Sequence, residues 1–125
     1  EGEQILKIGL CCEDTRQIEL AANRLFSDTL LYQWNYSFFT GAEVLSPMAS
    51  KGLAVKKIID QMPEKPDCIA VAGDSQNDPS MFALADITFA PETAFTEVRK
   101  AADYIIPPPE QGGIAQALKT LTARK

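Results

Sequence analysis

The sequence has no histidine, which removes imidazole acid/base chemistry, Ser-His triads and histidine metal sites. Its three cysteines, Cys11, Cys12 and Cys68, have no Cys-x-x-Cys spacing and two are adjacent, so neither a zinc site nor a disulfide framework is indicated. They read as small buried hydrophobes. No apolar run approaches the roughly 18 residues of a membrane span, and no charged segment leading into an apolar stretch marks a signal peptide. A reducing cytoplasm is the expected compartment, with no membrane partner. Positive charge is also short: 12 Lys and Arg stand against 17 Asp and Glu, a net charge of -5. The basic residues are scattered rather than gathered in a stripe, which argues against nucleic acid as a partner. Any phosphate must meet a local site, and carboxylates and lysine must carry the chemistry.

What is present fits an ordinary globular domain. With 46% hydrophobic and 23% charged residues, the 125-residue chain can form a core without disulfide or metal staples. ILKIGL, from Ile5 to Leu10, predicts a strand, and Thr15 predicts the cap of a helix carrying Ile18, Ala22, Leu25 and Phe26 at helical spacing. Leu30 to Phe39 is aromatic and β-rich. Thr40-Gly41 is expected to break it from the short apolar run Val44-Leu45, giving two adjacent strands. Ser46-Pro47 marks a boundary. Beyond it the pattern alternates. Ser50 suits the cap of a helix from Lys51 to Met62 with Leu53, Val55, Ile58 and Ile59 inward. Cys68 to Ala72 reads as a strand buried on both faces of a parallel sheet. Pro79 opens a short helix through Leu84, and Ile87 begins a strand. Thr93 to Ala102 predicts a helix, Tyr104 to Ile106 a strand, and Ile114 to about Leu121 a closing helix. This β-α alternation predicts an α/β fold whose ligands sit at the carboxyl ends of parallel strands.

Two segments are chemically suggestive. GDSQND, Gly73 to Asp78, stands between a predicted buried strand and a helix opened by Pro79. Two carboxylates four residues apart on such a turn suit Mg²⁺, which prefers one or two carboxylates plus waters and phosphate oxygens. Asp74 and Asn77 equally suit a plain turn and helix cap. Lys51 lies at a helix N-terminus, where the helix dipole disfavours a cation. The placement makes sense if an anion is held there, and an exposed, solvated lysine is the plainer alternative.

Taken together, SKG at Ser50 to Gly52, the following hydrophobic strand and GDSQND resemble the haloacid dehalogenase superfamily, in its Cof-type and sucrose-phosphatase-like branch. The resemblance continues through Met81, Ala85-Asp86, EVRKAADYII from Glu97 to Ile106, and Gly112-Gly113. It covers Glu43 to Leu121. Earlier residues are similar to the second half of the family's inserted cap. The resemblance therefore implies a partial α/β cap over residues 1–46, then over 47–125 the C-terminal half of a Rossmann-like core, a parallel sheet with flanking helices.

It also implies roles. Lys51 matches the lysine that neutralises the attacking carboxylate and the phosphoryl group. Asp74 matches a direct Mg²⁺ ligand, and Asp78 its partner in the metal site, which orients metal-bound water or a neighbouring side chain. Asn77 matches a phosphate contact. At Glu92-Thr93-Ala94 many relatives have Gly-Asn-Ala, so the contact made by that asparagine is not carried over. The family's nucleophile, the first aspartate of a D-x-D motif, has no match, because no D-x-D occurs in this sequence. The nearest segment, Cys12-Glu13-Asp14-Thr15, puts cysteine where the nucleophile would stand, and reads instead as a cap strand entering a helix. The chain is thus expected to be a fragment, inactive alone, of a Mg²⁺-dependent phosphatase of small phosphorylated metabolites, with the missing N-terminal half as its partner. A non-catalytic binding or regulatory module is the alternative. The phosphorylation domain of a cation-pumping ATPase shares GD-x-x-ND, but no membrane segment accompanies it here.

Overall fold

The computed structural model describes residues 7–25, 30–35 and 40–123. The chain divides into two compact units, Glu1–Ser50 and Lys51–Lys125.

The first unit contains β1 (Lys7–Cys12), α1 (Thr15–Leu25), β2 (Leu30–Asn35) and β3 (Thr40–Leu45). Both β1 and β2 pair antiparallel with β3, with Ile8 and Leu31 opposite Val44. Ala42 and Val44, two residues apart on the central strand, are buried, as is Ile18 of α1. Such alternation belongs to a sheet covered by a helix on one side.

Several local expectations shift here. The first strand runs on through both cysteines; Ile5 and Leu6 lie outside the described residues. Cys11 is exposed and Cys12 only partly covered, so these cysteines are not core residues. Their place on an outer strand, with side chains alternating between faces, decides this. Asp14 caps α1 in place of Thr15: its Oδ1 accepts the Arg16 N–H at 2.9 Å, because Thr15 is already helical. Thr40-Gly41 falls inside β3 rather than between strands. Gly41 is paired on both sides, with Cys11 and Trp34, and ladder pairing overrides its local preference for a turn. Phe26 and residues 36–39 lie outside the described residues.

The second unit is α/β. Parallel strands β4 (Ala70–Ala72), β5 (Ile87–Pro91) and β6 (Tyr104–Ile106) lie in that order. They alternate with α2 (Lys51–Gln61), α3 (Pro79–Phe82), α4 (Thr96–Ala101) and α5 (Gly113–Thr122). One core cluster joins Val71, Phe82, Ala90, Ala94 and Val98; a second joins Ile87, Phe89, Ile106 and Ala117. Phe89 stacks on Tyr104, its register partner, with ring centroids 5.4 Å apart. Two aspartates fix the register by one device. Asp86, just before β5, accepts the Ile69 N–H at 2.8 Å. Asp103, just before β6, accepts the Thr88 N–H and hydroxyl at 2.8 and 2.7 Å. Each ties the start of one strand to its neighbour; β5 and β6 then end level, with Pro91 opposite Ile106, while β4 stops at Ala72 opposite Phe89.

Burial corrects two expectations, and a backbone turn corrects a third. The strand covered on both faces is β5, buried at every position; in Cys68–Ala72 only Val71 is buried, and Cys68, Ala70 and Ala72 are exposed. β4 pairs on one side only among the described residues, so its surroundings are those of an edge. In α2 the buried residue is Gly52, Val55 and Ile59 are half-covered, and Leu53 and Ile58 are exposed. The helix meets α3 by close backbone approach at Gly52 rather than through its apolar stripe. Finally, α4 starts at Thr96, because Ala94 donates to the Pro91 carbonyl in a turn. No helix among the described residues is long and apolar enough to cross a membrane.

Candidate functional site

Gly73 follows β4 and extends its ladder, its N–H donating to the Phe89 carbonyl at 3.1 Å. The chain then turns at the carboxyl end of the sheet, where α/β folds present ligand groups. Asp78 organises this turn. Its Oδ2 accepts the N–H groups of Asp74 and Ser75, both at 2.8 Å, and its own N–H donates to the Ser75 carbonyl at 3.0 Å. The side chain is only 2% exposed. A Cβ at position 73 would stand 2.4 Å from Asp78 Cβ, so the close packing of carboxylate on backbone requires glycine there.

The second oxygen of Asp78 meets Lys51. This residue begins α2, and its ammonium lies 2.5 Å from Oδ1, its side chain remaining 47% exposed. Burial pushes the Asp78 carboxyl pKa up, but the Lys51 hydrogen bond and the Ser75 and Asp74 N–H groups outweigh it and hold the group below the ordinary carboxylate value. Asp78 is thus an anion at neutral pH, balanced by a lysine that water can still reach.

Asp74 and Asn77 complete the turn differently. Asp74 is exposed; its carbonyl accepts the Phe95 N–H at 3.0 Å, while its carboxylate bonds to nothing among the described residues. Asn77 is half-buried, and its Oδ1 is buried with no partner among them. A buried acceptor without a donor is rare in folded proteins, and a water or a bound group can satisfy it. Thus α2 and the Gly73–Asp78 turn bring Lys51, Asp74, Asn77 and Asp78 into one unit. Asp14 is not among them: it lies in the first unit, engaged in capping α1. Glu92 and Thr93 are exposed in the turn after β5.

The residues present fit Mg²⁺ in a limited sense. Asp74 offers an exposed carboxylate and Asn77 an unpartnered oxygen, whereas both oxygens of Asp78 are engaged by donors of the chain itself. No group of three or more His, Cys, Asp or Glu side chains gathers among the described residues. One or two carboxylates suffice for Mg²⁺ when phosphate and water complete its shell.

Sequence reasoning did not single out Ser80, nor a structural use for Gly52. The Ser80 hydroxyl accepts the Gly52 N–H and donates to the Asn77 carbonyl, both at 3.1 Å. A Cβ on Gly52 would lie 2.1 Å from the Ser80 carbonyl oxygen. Nothing in local pattern announces this contact, because it joins residues 28 apart.

A parallel α/β unit that sets an anionic turn and a helix-borne lysine at the carboxyl end of its sheet has the architecture of a Rossmann-like fold. Comparison with known proteins narrows this: the chain belongs to the haloacid dehalogenase-like hydrolase family, whose model matches residues 1–118. It is 30% identical over 121 residues to YkrA of Bacillus subtilis (strain 168), which covers 97% of this chain and 45% of that protein. It is 30% identical over 120 residues to the 5-amino-6-(5-phospho-D-ribitylamino)uracil phosphatase YwtE of the same organism, covering 96% of this chain and 42% of YwtE. Among solved structures, a haloacid dehalogenase-like hydrolase from B. subtilis superposes with a TM-score of 0.75 at 26% identity, over 91% of this chain and 40% of that one. The sugar phosphatase BT4131, of subclass IIB, gives 0.73 at 28% identity, over 92% and 43%. The chain thus spans less than half the length of these relatives.

Proposed function

We propose that this chain supplies the metal-binding and phosphate-stabilising part of a Mg²⁺-dependent phosphomonoesterase that works through an aspartyl-phosphate, with the nucleophilic aspartate in a part of the protein outside this sequence. The observation that carries the reading is the cluster itself: Asp78, buried and anionic, joins Lys51 to the turn that presents Asp74. Lys51 has an exposed flank, and its ammonium offsets charge growing on a transferring phosphoryl group. Asp78 orients that ammonium and shapes the turn. Asn77 would donate its amide NH₂ to a phosphate oxygen while its Oδ1 takes a water or ligand hydrogen. Mg²⁺, held by Asp74 with Asp78 behind it, would supply charge neutralisation on the phosphate oxygens. The absence of histidine is no obstacle, because covalent catalysis by a carboxylate divides one hard displacement into two easier ones.

The substrate class is a small phosphomonoester, such as a sugar phosphate. The recurrence of phosphatases of small metabolites among the relatives, phosphoglycolate phosphatases included, supports it. The first unit, as part of a cap, would help to select among substrates, and the absent N-terminal half is the chain's partner in catalysis. No nucleic acid or membrane enters the scheme.

In the longer parent protein, or in this chain recombined with its missing half, Lys51→Ala lowers kcat by on the order of 10² to 10³. Asp74→Asn abolishes Mg²⁺-dependent turnover and costs more than Asp78→Asn. Hydrolysis of p-nitrophenyl phosphate across a Mg²⁺ titration reads all three, and the isolated chain does no better than buffer. Near-normal turnover by Asp74→Asn would overturn the assignment and favour a non-catalytic module of the same fold.

A further inference from the structure

We propose that Ser80 is a positioning residue that bolts the start of α2 to the acidic turn and so holds Lys51 where the phosphoryl group is neutralised. The inference deepens the phosphatase reading and rests on it for the importance of Lys51. The first N–H groups of a helix have no intrahelical acceptor. One of them, on Gly52, is satisfied from outside the helix by the Ser80 hydroxyl at 3.1 Å, and the same hydroxyl donates to the Asn77 carbonyl at 3.1 Å. A single side chain therefore links the residue after Lys51 with the residue before Asp78, the two partners of the ion pair. The job needs a group that accepts and donates at once over a short reach, which a hydroxyl does and a methyl does not.

The bond matters because the ion pair cannot do this alone. Lys51 has a long, flexible stem and is 47% exposed, and a pair so open to water restrains its lysine weakly. Fixing the backbone at Gly52 shortens the arc through which the ammonium swings. Close packing reinforces the hydroxyl: Gly52 lies against the Ser80 backbone so tightly that a Cβ would stand 2.1 Å from its carbonyl oxygen. Helix, turn and lysine thus move as one piece.

Two measurements test this, one independent of catalysis. In this chain, Ser80→Ala should speed amide hydrogen exchange at Gly52 by roughly threefold to tenfold, the loss of one ordinary hydrogen bond, and Ser80→Thr should restore protection. In the parent enzyme, Ser80→Ala should lower kcat by about 10-fold, and at most about 10²-fold, with KM within roughly twofold, and Ser80→Thr should recover most of the rate. Unchanged Gly52 exchange in Ser80→Ala overturns the proposal. So does a Ser80→Ala enzyme with full kcat, or a loss shared equally by kcat and KM. If Ser80→Thr misfolds, exchange and kinetics of Ser80→Ala decide alone. A Lys51→Ala enzyme with full turnover would instead refute the phosphatase reading, and Gly52 exchange would still judge the bolt.

Discussion

Replacing Asp78 by alanine tests the site at its centre. The side chain is 2% exposed and accepts three hydrogen bonds: two from the backbone N–H groups of Asp74 and Ser75, and one from Lys51. A hydrogen bond to a charged group contributes about 1.5 to 3 kcal/mol. The two backbone bonds would then total about 3 to 6 kcal/mol if alanine left both donors dry. Asp74 is exposed and Ser75 half-buried, so water recovers part of that. The Lys51 pair adds less than about 1 kcal/mol, because half-exposed lysine returns to water when its partner is removed. The net expectation for Asp78→Ala is a loss of about 3 kcal/mol, a large part of the roughly 5 to 15 kcal/mol that holds an ordinary domain together. Asp78→Asn keeps an acceptor oxygen for the two N–H groups and should lose about half as much. Urea unfolding followed through the amide signals of β5 reads both, with the midpoint shifting and the slope m unchanged. A loss below about 0.5 kcal/mol for Asp78→Ala, or equal losses for the two variants, would refute the view that this carboxylate organises the turn.

The same carboxylate should make stability depend on pH. Its folded pKa lies below the unfolded value of 3.8, so its contribution is complete above that value and is lost as pH falls through the folded one. Urea midpoints measured from about pH 6 down to about pH 2.5 should drop less steeply at the acid end in Asp78→Asn than in the natural chain, and parallel curves would count against the pairing. Gly52→Ala should destabilise by about 2 kcal/mol, since the new Cβ would meet a backbone oxygen at 2.1 Å that cannot swing away. A thermal melt showing Gly52→Ala neutral or more stable, as helix propensity alone would give, would show that α2 and α3 are not held in this contact.

The sequence alone carried what is local. Hydrophobic runs, Pro79 at a first helical turn and glycines beside strands located β5, β6, α2 and α5 to within a residue or so, because period and turn chemistry act over a few neighbours. GDSQND and Lys51 stood out for the same reason: residue types and their order are legible along the chain. Tertiary structure decided everything that depends on who stands opposite. Cys68–Ala72 and Ile87–Pro91 are both apolar runs, yet only the second is central and buried throughout, since pairing on two sides is a property of the sheet and not of the strand. Leu53 and Ile58 sit at helical spacing but stay exposed, because α2 is set by the backbone contact of Gly52 with Ser80, residues 28 positions apart. Asp78 could be read as a carboxylate, but not as one already shared between two backbone amides and a lysine. Those donors reach it only once strand, turn and helix have packed, and chain separation leaves no trace of such contacts in the order of residues.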